Sequence, residues 1–222
     1  MNRSAIVEEA RRYVRRELES DRTGHDWPHI ARVAALARQL AQAEGADVFV
    51  CELAALLHDL ADDKIAASEE AGQRQIRGWL EEHGAPKETT AAVLAIIATM
   101  SFKGGGGAPM ATLEGMVVQD ADRLDALGAI GVARTFVYAG ARGHKLHDPA
   151  VAPRGAMTPA EYRSGDGTAI NHFHEKLLKL KDRMNTKAAQ ALAAERHAFL
   201  LRYLEQFAAE WAVGEAYDAP PR

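Results

Sequence analysis

"CELAALLHDLADDK", residues 51–64, starts as an apolar run and ends in ionisable groups. Cys51, Leu53, Ala54, Ala55, Leu56 and Leu57 put apolar side chains on nearly every side of a helix, the pattern of a central helix packed all round. The run then meets His58 and Asp59, followed by Asp62, Asp63 and Lys64. Consecutive residues of an α-helix point about 100° apart, so His58 and Asp59 reach one point only at a helix end, where the backbone is free to adjust. The plain reading makes His58 a helix-terminal cation and Asp59 a solvated turn residue. The other reading makes the pair half of a site completed by residues from elsewhere.

Helical periodicity spreads outward from this segment. Ile6, Val7, Ala10, Val14 and Leu18 recur at helical spacing. Asp26 and Pro28 mark the capped start of a helix carrying Ile30, Val33, Ala37 and Leu40, which Gly45 closes. The central helix is expected from Val48 to about Leu60. Others follow at residues 68–83, ending at Gly84, and 86–100, beginning at Pro86. "KGGGGAP", residues 103–109, holds no regular element because four successive glycines leave the backbone unrestricted, so it reads as a mobile loop. One long helix is expected from Leu113 to about Tyr138. Residues 140–168 gather Gly, Pro, Ser and Asp and are too long for a simple connection, so they form a substrate-covering lid or a disordered insert. Helices at about 170–184 and 187–213, with Asn185 and Thr186 as candidate caps, complete the chain. The expectation is an all-α helical bundle, one domain over residues 1–222. Its core lies at about 25–140, its insert at about 140–168 and its C-terminal helices at about 170–213.

Composition agrees, since Ala and Leu dominate the apolar residues. The net charge of −4 is spread along the chain without a basic stripe, so duplex nucleic acid is not an expected partner. Cys51 is the lone cysteine and fits a reducing compartment. The charged start "MNRSAIVEEARR" does not suit a signal peptide, and no apolar run approaches the roughly 18 residues of a membrane span. A cytoplasmic protein with no membrane association is expected.

Other residues complete a site around His58 and Asp59. His29 lies in the first turn of its helix, in "GHDWPHIARV". Asp122 lies inside the apolar-periodic "VVQDADRLDALGAIG", where an unpaired carboxylate would be expensive to bury. Imidazoles and carboxylates from three helices suit a divalent metal with positions left for water and substrate, and the absence of cysteine ligands removes a structural zinc site. Lys103 at the glycine loop, Arg123 beside Asp122 and Lys64 are candidate phosphate ligands. Each also reads as a solvated or ion-paired charge. Asp62, one helical turn after His58, can face the site, with Asp63 as competitor. Asp125 is a candidate orienter of a metal ligand, as is His25, whereas Asp26 fits a helix N-cap. In "NHFHEKLLKLKDRMN" His172 is retained as a substrate contact, while the lysines fit the wet face of an amphipathic helix. His83, Trp27, His144 and His147 read as a helix-end group, a core anchor and two loop residues.

The order H, then HD, then D resembles the HD superfamily of metal-dependent phosphohydrolases. The resemblance extends to a bacterial subgroup similar to nucleoside triphosphate pyrophosphohydrolases, through "HDWPHIARV", "ALLHDLADDK", "SFKGG", "DADRLDALGAIGVARTF" and "NHFHEKLLKLKDRMNT", from about residue 25 to 187. It implies an all-α HD-domain bundle with the metal between helices, and His29, His58, Asp59 and Asp122 as ligands. The choice of His29 over His25 rests on it. It also implies one ion rather than two, because "AIIATMSFKGG" lacks the further histidines of two-metal members. Mn²⁺ is the first expectation, with Fe²⁺, Co²⁺, Ni²⁺, Zn²⁺ or Mg²⁺ as alternatives. By position Asp62 inherits the role of the catalytic carboxylate, and His172 that of a phosphate contact. The implied reaction releases monophosphate and pyrophosphate from a nucleoside or deoxynucleoside triphosphate. A phosphomonoesterase, a phosphodiesterase and a non-catalytic metal-stabilised nucleotide-binding protein are the alternatives, and a homo-oligomer is left open.

Overall fold

The structure is a computed structural model that describes residues 2–21, 24–61, 68–100, 109–155 and 167–218. Among these residues every regular element is helical. Helix α1 (Arg3–Glu17) starts at Asn2, whose side chain accepts from the Ala5 amide, and buries Ile6, Ala10 and Val14. Helix α2 (Trp27–Glu44) starts at Asp26, which accepts from the His29 amide, and ends at Gly45 with φ 76°. The N-cap reading of Asp26 therefore holds.

Helix α3 (Val48–Leu57) is the central one. Asp47 caps its Phe49 and Val50 amides, and every residue from Phe49 to Leu57 is buried. It packs against α1, α2, α5 (Lys87–Thr99) and α6 (Leu113–Asp125). Leu53 and Leu57, both at 0% exposure, each contribute on the order of 2 kcal/mol by leaving water. After Leu57 the chain tightens into a 3-10 turn, His58–Ala61. That change of winding at the His-Asp pair is the backbone adjustment the sequence required.

Helix α4 (Glu69–Glu82), capped by Ser68, lies against this turn. A Cβ on Gly72 would sit 2.5 Å from the Ala61 Cα and 2.7 Å from the Leu60 carbonyl oxygen. Gly72→Ala should therefore destabilise by about 1–2 kcal/mol, because overpacking against backbone exceeds the roughly 1 kcal/mol gain in helix propensity. Thermal unfolding followed by circular dichroism checks this. An unchanged or raised midpoint would show that α4 moves away without cost.

The single helix expected from Leu113 to about Tyr138 is instead two, α6 and α7 (Gly128–Ala141). The amides of Ala126 and Leu127 turn back to the Arg123 and Leu124 carbonyls, and Gly128 enters α7 at φ 70°. Ala126 and Leu127 continue the apolar periodicity across the corner, which hides it from pattern reading. Helix α8 begins as Ala169–His172 and passes through a π-helical turn, Phe173–Leu177. It resumes over Leu178–Leu180 and ends in a 3-10 turn, Lys181–Arg183. Thr186, an expected cap, accepts from the Ala189 amide at the start of α9 (Lys187–Asp218), which runs past the expected end near residue 213. No described helix is long and apolar enough to cross a membrane.

The described part of the insert is fastened to α8. Lys145 and Leu146 carbonyls accept the Ala169 and Ile170 amides, Asn171 donates to the Val151 carbonyl, and Arg154 pairs with buried Glu175 at 2.9 Å. His147 packs edge-on against Trp211 and Phe207 of α9, and His144 against Tyr138. Residues 156–166 lie outside the described residues.

Candidate metal centre

Three elements bring the ionisable groups together: the first turn of α2, the 3-10 turn after α3, and the last turns of α6. The Asp26 cap fixes where α2 begins and so sets His29, at 1% exposure, facing inward. Its Nδ1 lies 2.8 Å from Asp125 Oδ2, so the ring donates there and its Nε2 lone pair faces the opposite way. His58 Nδ1 donates to the Ala55 carbonyl at 2.8 Å, which likewise turns Nε2 into the cluster. That Nε2 is buried and makes no hydrogen bond. It lies 3.1 Å from Asp59 Oδ1 and 3.9 Å from Asp122 Oδ1, the nearer contact being an ion pair without hydrogen-bond alignment.

The carboxylates close the arrangement. Asp59 is buried, with Oδ2 at 2.9 Å from His25 Nδ1 and 3.6 Å from His29 Nε2. Asp122 Oδ1 lies 3.6 Å from the same His29 Nε2, and its side chain is 39% exposed, so the cluster opens to solvent on the Asp122 side. Ligand atoms of His29, His58 and Asp122 lie within 4.8 Å of one another, as do those of His25, His29 and Asp59. Bond lengths of roughly 2.1 Å to a shared ion imply donor separations of about 3.0–4.2 Å. The four His–Asp separations, 3.1–3.9 Å, fall near that range, with Asp59 facing His58 through Oδ1 and His29 through Oδ2.

Electrostatics supports the same reading. Burial disfavours an imidazolium at His58, but the charges of Asp59 and Asp122 outweigh it and raise the pKa to about 9. Burial also pushes Asp59 upward, yet His58 and His25 hold it well below the usual carboxylate range. The field of the two carboxylates thus demands positive charge at His58 Nε2, a demand that a proton or a metal cation satisfies. Two imidazole nitrogens and two carboxylates, with no thiolate, are a donor set for a borderline-hard divalent ion.

Behind His29 stands Asp125, 1% exposed, which the sequence offered only as an orienter. It accepts from His29 and also from Arg32 Nε at 2.7 Å, Arg32 Nη2 at 3.0 Å and Arg134 Nη1 at 2.9 Å. Burial would raise its pKa, but His29 and Arg32 lead the interactions that keep it ionised. Neither arginine was foreseen. The signal was present in Asp125 itself, a carboxylate at the apolar end of a helix that needed cationic partners, and in Arg32 one turn beyond His29.

The remaining expectations are distributed unevenly. His25 contacts Asp59 directly. Arg123 is partly buried and donates from Nη1 to the Arg183 carbonyl, a bond from α6 to the end of α8. His172 stands on α8 among Lys176, Glu175, His144 and Arg154. Burial first and the Lys176 charge second lower its pKa to about 3, so it is neutral at physiological pH. His83 donates to the Trp79 carbonyl and stacks on the Trp79 ring at 4.0 Å, a helix-end role without metal chemistry. Trp27 packs against the core. Asp62, Asp63, Lys64 and Lys103 lie outside the described residues.

The bundle thus converges histidines and aspartates from separate elements on one point, open to solvent beside Asp122, with a donor set that suits a divalent metal ion. The HD domain family matches residues 27–127, a span that contains His29, His58, Asp59 and Asp122. The chain is 41% identical over 202 residues to YpgQ of Bacillus subtilis, covering 90% of this chain and 91% of that protein. A crystal structure of YpgQ in complex with ADP superimposes with TM-score 0.78 at 40% identity, covering 95% of this chain and 97% of that one. A crystal structure from Lactobacillus plantarum matches with TM-score 0.85 at 43% identity, over 94% of this chain and 98% of that one. An HD-superfamily hydrolase from Bacillus thuringiensis matches with TM-score 0.75 at 44% identity, over 95% of this chain and 99% of that one. The chain belongs to the HD superfamily of metal-dependent phosphohydrolases.

Proposed function

We propose that the protein cleaves the α,β-phosphoanhydride of a nucleoside or deoxynucleoside triphosphate, water attacking phosphorus to give monophosphate and pyrophosphate. One divalent ion, Mn²⁺ by preference, would be held by His29 Nε2, His58 Nε2, Asp59 and Asp122. The observation that carries the metal assignment is the buried His58 Nε2, which lacks a hydrogen bond and faces two carboxylates. Support for a nucleotide comes from the relative YpgQ, whose structure was determined in complex with ADP.

When bound, such an ion supplies Lewis acidity to a phosphoryl oxygen and lowers the pKa of water toward neutrality. The protein supplies orientation. Asp125 and the Ala55 carbonyl fix the two rings, and His25 holds one oxygen of Asp59. The exposed flank of Asp122 leaves the side from which a phosphate enters. Asp62 is proposed as the carboxylate that accepts or returns the proton, with Asp63 as competitor. Lys64, Lys103, Arg123 and His172 are proposed to contact the phosphates. Arg123 retains further N–H donors beyond the one on the Arg183 carbonyl, whereas neutral His172 would serve as a hydrogen-bonding group rather than a charge.

Incubating the purified protein with Mn²⁺ and a panel of nucleotides, then separating products, tests the bond assignment. Equal release of monophosphate and pyrophosphate is expected. Orthophosphate without pyrophosphate would favour phosphomonoesterase chemistry, and turnover of cyclic or bridged esters alone would favour a phosphodiesterase.

A further inference from the structure

Arg134 belongs to neither the ligand set nor any expectation above, yet it touches both sides of the centre. Its Nη1 donates to Asp125 Oδ2 at 2.9 Å, the same oxygen that receives His29 Nδ1. Its Nε and Nη2 both donate to the Gly24 carbonyl, at 3.1 and 2.6 Å. Gly24 immediately precedes His25, whose ring contacts Asp59. We propose that Arg134 is a positioning residue that couples the two orienting arms of the metal centre, Asp125 behind His29 and the Gly24–His25 segment beside Asp59. This inference rests on the ligand set proposed above.

The corner between α6 and α7 makes the contact geometrically attainable. Arg134 follows Asp125 by nine positions, and in one unbroken helix those residues would stand about 13.5 Å apart along the axis, beyond side-chain reach. The turn at Ala126–Leu127 folds α7 back so that the guanidinium meets the carboxylate. Its planar fork spans two acceptors in two directions, which a lysine ammonium on a flexible stem does not reproduce. Arg32, by contrast, bonds Asp125 through both Nε and Nη2, so Asp125 keeps a cationic partner when Arg134 is removed.

The sign of the effect separates positioning from plain charge. A guanidinium near a dication site repels the ion, so by Coulomb's law alone its removal tightens metal binding. Positioning predicts the opposite. The test measures Mn²⁺ binding to metal-stripped wild type, Arg134→Met, Arg134→Lys and His58→Ala by isothermal titration calorimetry. Long-range ¹H–¹⁵N spectra of the histidine rings are recorded alongside. Both Arg134 variants should bind Mn²⁺ about 10-fold or more weakly, with altered tautomer signals for His25 and His29. Arg134→Lys keeps the local charge and protects the test should Arg134→Met fold poorly. If Arg134→Lys binds Mn²⁺ as the wild type does with unchanged ring spectra, or if Arg134→Met binds more tightly, the coupling role is overturned. His58→Ala keeps the two readings apart. Undiminished Mn²⁺ binding there refutes the ligand set itself, while loss there with unaffected Arg134 variants refutes only the inference.

Discussion

His58→Ala and Asp59→Ala should each abolish hydrolysis, by roughly a thousandfold or more. The reason is that a metal ion supplies several kcal/mol of charge stabilisation, and every 1.4 kcal/mol or so is a factor of ten. The folded state should survive. His58→Ala removes the Nδ1 hydrogen bond to the Ala55 carbonyl and the ion pair with Asp59, but α3 is held by the apolar residues from Phe49 to Leu57 rather than by the pair that follows it. Far-UV circular dichroism should therefore match the wild type, and the thermal midpoint of metal-free His58→Ala should stay within a few degrees. Asp59→Ala removes the partner of both His25 and His58 and should lose more. The contrary outcome is collapse of helicity in both variants with retained turnover in neither, which would make the cluster a structural clamp.

Asp125→Asn should produce the largest change in stability. One carboxylate oxygen of Asp125 receives His29, Arg32 and Arg134 together, and the amide preserves shape while removing the charge that pairs with two guanidinium groups. Breaking a buried ion pair costs about 3–5 kcal/mol. Arg32 and Arg134 keep 35% and 22% of their side-chain surface in water, so about 2–3 kcal/mol is expected after allowing for that screening. For a chain of this size that lowers the midpoint by roughly 4–12 °C. The pH dependence has a definite sign. The folded state depresses the Asp125 pKa below its ordinary 3.8. Its stabilisation is therefore fully present above about pH 4 and lost as pH falls toward the folded value. The gap between wild type and Asp125→Asn in urea unfolding should be constant near neutrality and close on acidification. A gap independent of pH down to about 2 would remove the ionised carboxylate from the explanation. Metal affinity should fall in parallel, by about 10- to 100-fold, because His29 loses the acceptor that fixes its ring.

The sequence made some of this visible and concealed the rest for physical reasons. Helix starts were legible where a polar side chain must satisfy free amides, as at Asp26, and the end of α2 where Gly45 takes a positive φ. The break between α6 and α7 was not, because Ala126, Leu127 and Ile130 keep helical spacing across it. Yet that break is what brings Arg134 back onto Asp125. The His-Asp pair was legible as an anomaly, two ionisable groups closing an apolar helix, and the 3-10 turn there shows how both enter one site. The preference for His29 over His25 came from the family resemblance, since spacing alone does not separate two histidines four residues apart. Both approach the same oxygen, Asp59 Oδ2, where His25 Nδ1 donates at 2.9 Å and His29 Nε2 lies at 3.6 Å, and His29 Nε2 also lies 3.6 Å from Asp122 Oδ1. Arg32 was legible only by its place one turn beyond His29, and Arg134 not at all, since an arginine on a helix reads as a solvated charge until its buried partner is known.

Crystals grown or soaked with Mn²⁺ and measured at the manganese absorption edge test the metal assignment most directly. One anomalous peak is expected, roughly 2.0–2.3 Å from His29 Nε2, His58 Nε2 and carboxylate oxygens of Asp59 and Asp122. A peak that leaves His58 Nε2 or Asp122 unligated, or manganese bound only at another part of the molecule, would contradict it.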